Sequence, residues 1–166
     1  MTDSKIYLFA GGVLLVGAGA GIIYYMSQRK PKSMIQNATA TRNADGTVTV
    51  RAAISNTGGT KGYFKLQALV VALDCPQGKT GYTKTGDRYW GDVLNCVNQG
   101  RGVGCYAPAW QVIEPGQIAT LQAGSPQTLP VGNYGLFVNA AVSTEGSTQT
   151  RLYTREYYYW STIALN

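Results

Sequence analysis

The hydrophobic pattern divides the chain into two unlike parts. Ile6 to Met26 is a run of 21 residues with no charged or strongly polar side chain. At about 1.5 Å per residue, a helix of this length reaches about 30 Å, which is enough to cross the hydrocarbon core of a bilayer. The run therefore predicts a transmembrane helix over residues 6–26, after a short tail over residues 1–5.

The predicted helix carries the side chains that membrane helices use. Tyrosines lie near both of its ends, where aromatic belts form. Gly17 and Gly21 form a small-xxx-small pair that lets a second helix pack closely, although such pairs also occur by chance. The membrane-anchor residues are Ile6, Leu8, Phe9, Leu14, Leu15, Ile22, Ile23, Tyr24 and Tyr25.

Two other interpretations of the run stay open. Ala18-Gly19-Ala20 resembles the cleavage site of a signal peptide, but the run continues beyond it, and the residues before the run carry no net side-chain charge. A pilin-type leader would place the helix in a filament core. Type IV pilins carry a glutamate early in the mature helix, and this run contains no acid.

From Thr47 onward the pattern changes to period two, the signature of a half-buried strand. The apolar set is Val48, Val50, Ala52 and Ile54, and it alternates with Thr47, Thr49, Arg51 and Ala53. Further strands are predicted over residues 63–73, 110–113, 118–122, 134–142 and 150–164, with turn signals between them. No segment after Met26 has a convincing helical period.

These elements predict an all-β fold, an immunoglobulin-like antiparallel β-sandwich preceded by one N-terminal transmembrane α-helix. The sandwich is expected over residues 47–166, with an insertion at about 75–109. Residues 27–46 are interpreted as a basic collar and a polar linker.

Three stretches of this second part resemble a known family. They are VTVRAAISNTGGTKGYFKLQALVVAL over residues 48–73, IEPGQIATL over 113–121 and LPVGNYGLFVNAAV over 129–142. They are similar to immunoglobulin-like modules of the CARDB type, found in bacterial and archaeal surface proteins. The resemblance implies a corner tyrosine at Tyr134, with its ring in the core and its hydroxyl bonded to nearby backbone. It implies no ligand, and the ending TRLYTREYYYWSTIALN departs from the acidic, Asn-rich ending of the family, so no calcium role is carried over.

Residues 75–109 interrupt the strand pattern and contain all three cysteines. We expect a hairpin insertion or a functional excursion here, with a short strand over residues 89–94. Cys96 and Cys105 are close enough in sequence to form a disulfide that leaves Cys75 unpaired. No metal or other cofactor is predicted, because zinc needs a fourth ligand and the chain has no C-x-x-C motif.

The position of the charged residues along the chain indicates whether they favour a membrane edge or a nucleic-acid partner. The net charge is +6, and three of the basic residues, Arg29, Lys30 and Lys32, form a membrane-edge collar. Residues 34–166 hold 10 basic and 7 acidic side chains, too diffuse a balance for nucleic-acid binding. Because basic flanks stay on the cytoplasmic side, the collar predicts that the β-domain faces the cytoplasm or a cytoplasm-derived side of an assembly. Its thiols should then be reduced, whereas a disulfide would favour the opposite side.

Candidate chemistry is sparse. The chain has no histidine, which excludes Ser-His-Asp and Cys-His catalysis and histidine-containing zinc sites. Asp87 and Asp92 are its close pair of carboxylates, and we expect them on a loop surface. The sequence therefore predicts neither an enzyme nor a small-molecule substrate.

Aromatic residues provide the candidate interface. In a strand, alternate side chains point to opposite faces, so one set would complete the core and the other would be free for a partner. An alternative is that all of them pack against cross-strand neighbours in a last strand. The candidates are Trp90, Tyr157, Tyr158, Tyr159 and Trp160.

Together these features predict a single-pass membrane protein whose β-sandwich works by contact with other proteins. In one context it is a minor capsid protein of a virion and links an internal membrane to the capsid shell. In the other it is a prokaryotic cell-surface or pilus-like filament subunit or adhesin with an extracellular domain. The expected partners are the lipid bilayer and other structural proteins, either capsid or filament subunits, including further copies of this chain.

Overall fold

The computed structural model describes residues 7–9, 12–14, 30–75, 86–146, 151–152 and 159–166. These residues form eleven strands and one helix. In chain order the elements are β1 (Tyr7–Phe9), β2 (Gly12–Leu14), β3 (Ser33–Arg42), β4 (Thr47–Asn56), β5 (Gly62–Ala72), α1 (Gly86–Asn98), β6 (Gly102–Tyr106), β7 (Gln111–Ile113), β8 (Ile118–Thr128), β9 (Gly132–Ser143), β10 (Arg151–Leu152) and β11 (Tyr159–Leu165). The predicted all-β class is confirmed.

Strands β3 to β11 form one antiparallel sheet that is nearly closed. Strand β9 pairs with β5 on one side and with both β10 and β11 on the other. Strand β5 pairs in turn with β6 and β7, while β8, β4 and β3 follow in order. A single residue pair, Tyr106 with Gly124, joins β6 to β8. At the far end β3 lies beside β11, which brings the two edges of the sheet together.

The core lies between the two halves of this sheet and follows the period-two pattern of the sequence. The side chains of Val48, Val50 and Ile54 on β4 are fully buried, as the alternation predicted. Phe64 and Leu66 on β5 and the apolar residues of β9 face the same interior. Strands β5 and β9 are also covered on part of their outer face, which explains why their sequences are more continuously apolar than that of β4.

Residues 33–42 correct the predicted linker. They form β3, which pairs with β4 along its length and has a bulge between Ile35 and Asn37. The segment looked like a linker because its side chains are mostly polar. An edge strand needs few apolar residues, however, and here Ala38 alone is buried within the element.

Residues 86–98 correct the expectation of an irregular insertion with a short strand at 89–94. They form helix α1, whose buried side packs on β5 and β6. Val93, Cys96 and Val97 have the spacing of one helical face. Gly100, with a φ of 74°, ends the helix in a Schellman motif, in which the amide of Arg101 donates to the carbonyl of Cys96 at 3.0 Å.

The apolar run at residues 6–26 is described in two short pieces. Tyr7–Phe9 pairs antiparallel with Gly12–Leu14, so the predicted helix is not found there. Glycine at 11 and 12 weakens a helix, and Tyr, Phe and Val favour strands. The rest of the run lies outside the described residues, including Leu15, Ile22, Ile23, Tyr24, Tyr25 and the pair Gly17 and Gly21. Within the described ranges, no helix is long and apolar enough to cross a membrane.

Candidate interaction surfaces

The first candidate surface is the outer face of the sheet around Trp160. The register places Leu69 opposite Phe137 and Phe137 opposite Trp160, so the three side chains form one cross-strand row. The ring centroids of Phe137 and Trp160 are 6.0 Å apart, with the ring planes inclined at 53°. A Cβ on Gly135 would lie 3.3 Å from the Phe137 ring and 3.6 Å from the Trp160 ring, so glycine there leaves room for both. Trp160 remains 42% exposed, while Phe137 is buried.

The other aromatic candidates are distributed differently. Trp90 belongs to α1, and Tyr159 begins β11 opposite Val138. Tyr157 and Tyr158 lie outside the described residues. Among the candidate side chains that the structure describes, Trp160 is the one placed at a surface, and its role in binding stays a prediction.

Helix α1 covers the other end of the same outer face. Val93 and Cys96 pack with Leu69, Val71 and Phe137 in a cluster separate from the main core. The ion pair between Asp74 and Arg101 brackets the helix, one residue preceding it and one following it.

The cysteines pair differently from the prediction. Cys75 and Cys96 form the disulfide, with their Cα atoms 6.2 Å apart, within the usual range. Cys96 and Cys105 cannot pair, because Cys105 belongs to the main core inside the sheet and Cys96 to the outer cluster under α1. The prediction failed because it used only the distance in sequence, whereas the two cysteines lie on opposite faces of the sheet. The Cys105 thiol is free, and burial raises its pKa to about 12.

A buried amide lies close to the outer aromatic face. Asn139 on β9 is 1% exposed, and among the described residues its Oδ1 has no hydrogen-bond partner. It is paired with Gln67 on β5, and Gln67 is paired with Tyr106 on β6. Burial raises the pKa of the Tyr106 hydroxyl, and the neighbouring Cys105 adds to this effect. No spacing in the sequence distinguished Asn139 from its apolar neighbours.

The second candidate surface is the end of the β-domain from which the chain runs back to the apolar segment. We name it the anchor end and define it by residues 30–32, the loop 57–61 and the turn 114–117. Asn56 organises it from a fully buried position. Its Oδ1 accepts hydrogen bonds from the amides of Gly58 at 2.9 Å and Lys32 at 3.3 Å. Its Nδ2 donates to the carbonyls of Thr60 at 2.8 Å and Ile113 at 2.9 Å.

Further contacts hold residues 30–32 against the anchor end. The amide of Thr57 donates to the carbonyl of Lys32 at 2.9 Å. Pro31 is buried against Gly62, and the Lys30 carbonyl lies against Gly58, so side chains at both glycines would clash with this segment. From residue 30 onward, the chain that enters the β-domain is therefore packed against it.

Two of the three collar residues, Lys30 and Lys32, lie on this end together with Lys61. Lys30 and Lys61 are exposed and Lys32 is half-buried, while Arg29 lies outside the described residues. The exposed carboxylate of Glu114 belongs to the same end, and Glu145 lies in the loop after β9. The anchor end thus carries more lysines than carboxylates, and it lies next to the segment that was predicted to enter a membrane.

A cluster of metal ligands is not found in the part of the chain that the structure describes. Across those residues, no three His, Cys, Asp or Glu side chains come together as metal ligands. Asp92 is exposed on α1, and the Asp87 side chain is outside the described set.

Comparison with known proteins gives no family for the chain. No family model and no curated protein matches it. Solved structures with a weak likeness include the β-glucosidase DesR from Streptomyces venezuelae in complex with D-glucose, with 14% identity and a TM-score of 0.42, over 81% of this chain and 15% of that chain. The alkylpurine DNA glycosylase AlkC from Pseudomonas fluorescens, bound to DNA containing an abasic site analog, matches with 10% identity and a TM-score of 0.40, over 88% of this chain and 33% of that one.

A β-glucuronidase from glycoside hydrolase family 2 is similar at 13% identity with a TM-score of 0.40, over 82% of this chain and 11% of that chain. The chain thus spans a third or less of the length of each of these proteins. TM-scores below 0.5 at such identities define neither a shared fold nor a shared activity.

Proposed function

We propose that this chain is a membrane-anchored structural protein that fixes a β-domain to a lipid layer and acts through protein contact. In the form we favour, it is a minor capsid protein that links an internal virion membrane to the capsid shell. The observation that carries the proposal is the hydrogen bond from the Lys32 amide to the buried Asn56 side chain. This bond fixes the start of the β-domain close to the proposed anchor. A protein that links a membrane to a shell needs such a fixed position, whereas a flexible tether would let the domain move.

The anchor itself is argued from the apolar run at residues 6–26. In hydrocarbon every backbone amide and carbonyl needs an internal partner, and a continuous helix provides one for each. A hairpin of two three-residue strands leaves most of these groups unpaired. We therefore propose that the run is helical once it lies in lipid, with the collar at the membrane edge.

The β-domain is proposed to be an immunoglobulin-like sandwich. Because a single residue pair joins β6 to β8, the sheet divides there into two layers. One layer would contain β3, β4 and β8, and the other would contain β5, β6, β7, β9, β10 and β11. The hydroxyl of Tyr134 donates to the Pro130 carbonyl at 2.9 Å, as the resemblance to CARDB-type modules implied. Such a module needs no catalytic group, and we propose that this protein is not an enzyme.

The Cys75–Cys96 disulfide favours a second candidate function, a cell-surface or filament subunit with its domain in an oxidising space. The disulfide is also compatible with the first candidate. A face that is cytoplasmic during assembly meets an oxidising medium once particles leave the cell, and the disulfide would then form late.

Topology distinguishes the two candidates. Ala44 is exposed in the hairpin between β3 and β4, whereas Cys105 is buried, so Ala44→Cys supplies a reactive thiol on the β-domain. In cells making the full chain, a membrane-impermeant maleimide should label this variant only after permeabilisation, and the chain should fractionate with lipid-containing particles. Prompt labelling of intact cells would reject the virion function and support the surface one.

A further inference from the structure

The anchor end leaves little chain between the β-domain and the predicted membrane edge. Four residues at most separate Met26 from Pro31, and extended chain covers about 3.5 Å per residue. From Pro31 onward the backbone is held by the Asn56 side chain, the Thr57 amide and the packing of Pro31 on Gly62. If the apolar run lies in a bilayer, as we propose above, this end of the domain must lie at the surface of that bilayer.

The residues that define the anchor end carry more positive than negative charge, which favours contact with an anionic membrane surface. Lys30 and Lys61 are exposed, and Lys32 is partly so. Glu114 and Glu145 lie at this end too, because the antiparallel register that pairs Gly62 with Ile113 and Tyr63 with Ser143 brings both loops beside Lys61. The positive charges on the segment that leads to the predicted membrane edge are therefore Lys30 and Lys32.

We propose that the anchor end is a lipid-contact surface that binds the phosphates of anionic headgroups through Lys30, Lys32 and Lys61. This inference rests on the proposed membrane anchoring and adds a defined orientation to it. Strand β4 runs from the hairpin at residues 43–46 to the anchor end over 10 residues, about 33 Å at 3.3 Å per residue. The hairpin, like α1 and the carboxyl terminus of β11, then points away from the lipid.

The test uses the full chain in vesicles, with a fluorophore on one introduced thiol. Thr57→Cys places it at the anchor end, and Ala44→Cys places it on the distal hairpin; both positions are exposed. Cys75 and Cys96 are joined and Cys105 is buried, so no reductant is added and the introduced thiol is the reactive one. The vesicles contain a nitroxide-headgroup lipid as quencher, either in phosphatidylcholine alone or with phosphatidylserine.

We expect strong quenching of the label at position 57, further increased by phosphatidylserine, and weak quenching at position 44. The double variant K30E/K61E should reduce quenching at position 57 and remove its dependence on phosphatidylserine. Each lysine near an anionic surface should change the ratio of domains that contact the lipid to domains that do not by about fivefold. The matched control R51E/K65E makes the same charge change on exposed or half-exposed strand positions away from the anchor end, and it should leave the quenching unchanged.

Equal quenching at positions 57 and 44, or the same loss in K30E/K61E and R51E/K65E, would overturn the lipid-contact surface while leaving the anchor intact. Alkaline extraction of the same vesicles separates the two ideas. Release of the chain into the supernatant would overturn the proposed membrane anchoring, and with it the lipid-contact surface.

Discussion

The hydroxyl of Tyr134 donates a hydrogen bond to the carbonyl of Pro130, four residues earlier, at 2.9 Å. The ring of Tyr134 belongs to the main core, so this one side chain joins the start of β9 to the turn that precedes it. The resemblance to CARDB-type modules implied a ring in the core and a hydroxyl bonded to nearby backbone, and both contacts are present, while membership of that family stays a prediction.

Removing that hydroxyl should weaken the domain modestly. We expect Tyr134→Phe to lower the free energy of unfolding by about 1 kcal/mol, because the ring still fills its site and only one hydrogen bond is lost. Urea unfolding of the full chain in mild detergent, followed by tryptophan fluorescence, measures the change. Tyr106→Phe is the control, because Tyr106 is 46% exposed. Equal losses in the two variants would show that the bond to Pro130 contributes nothing.

A methyl group at Gly58 should displace the chain that enters the domain. The added Cβ would lie 2.7 Å from the backbone nitrogen of Lys32, and backbone atoms on both sides leave it no space. We expect Gly58→Ala to destabilise the domain by about 2 kcal/mol and to speed hydrogen exchange at the Lys32 amide. Gly124→Ala is the matched change, since nothing lies within 4 Å of its Cβ. If the two variants behave alike, residues 30–32 are not packed as described.

The Cys75–Cys96 disulfide should contribute measurably to stability. It joins residues 21 apart in sequence, and closing a loop of this size in the unfolded chain is worth about 3 kcal/mol. We expect a reductant to lower the melting temperature of the natural chain and to have no effect on the variant C75S/C96S. An unchanged melting temperature in the natural chain would contradict the pairing, as would a non-reducing peptide map that joins Cys96 to Cys105.

The buried Cys105 thiol predicts a loss of stability in alkali. In the folded chain its pKa is about 12, raised from an ordinary value of 9.0 by burial. The unfolded chain therefore releases this proton first as the pH rises, so the thiol's contribution is complete below pH 9 and declines between about 9 and 12. The difference in unfolding free energy between the natural chain and Cys105→Ala, measured across this range, should shrink with pH. A constant difference would show that the thiol is ionised equally in both states.

The sequence predicted strands correctly where one buried face produces an alternation of apolar and polar residues. Strand β4 has one buried face, so its alternation of Val48, Val50 and Ile54 with polar residues was sufficient. Strand β3 was missed because an edge strand with a single buried alanine has no such alternation. Helix α1 was missed because a few apolar residues within a glycine-rich stretch give a weak helical signal. Its stability depends on packing against Leu69 and Phe137 and on the disulfide at Cys96.

The candidate surfaces were less predictable, because they depend on neighbours distant in sequence. The basic collar was evident as a charge pattern, but nothing in it indicated that Lys32 would bind a side chain 24 residues later. The pairing of Cys75 with Cys96 likewise depends on where α1 lies. Trp160 is partly exposed and also packs on its cross-strand neighbour Phe137, so its role as an interface residue stays a prediction.

The same disulfide also affects what a protease can do to this molecule. Every peptide bond between Cys75 and Cys96 lies within the covalent ring that the disulfide closes. A cut anywhere in that interval leaves the chain in one covalent piece, with α1 still attached to the strand it packs against. Nicked protein would therefore migrate as intact chain until a reductant is added, and only then as two fragments.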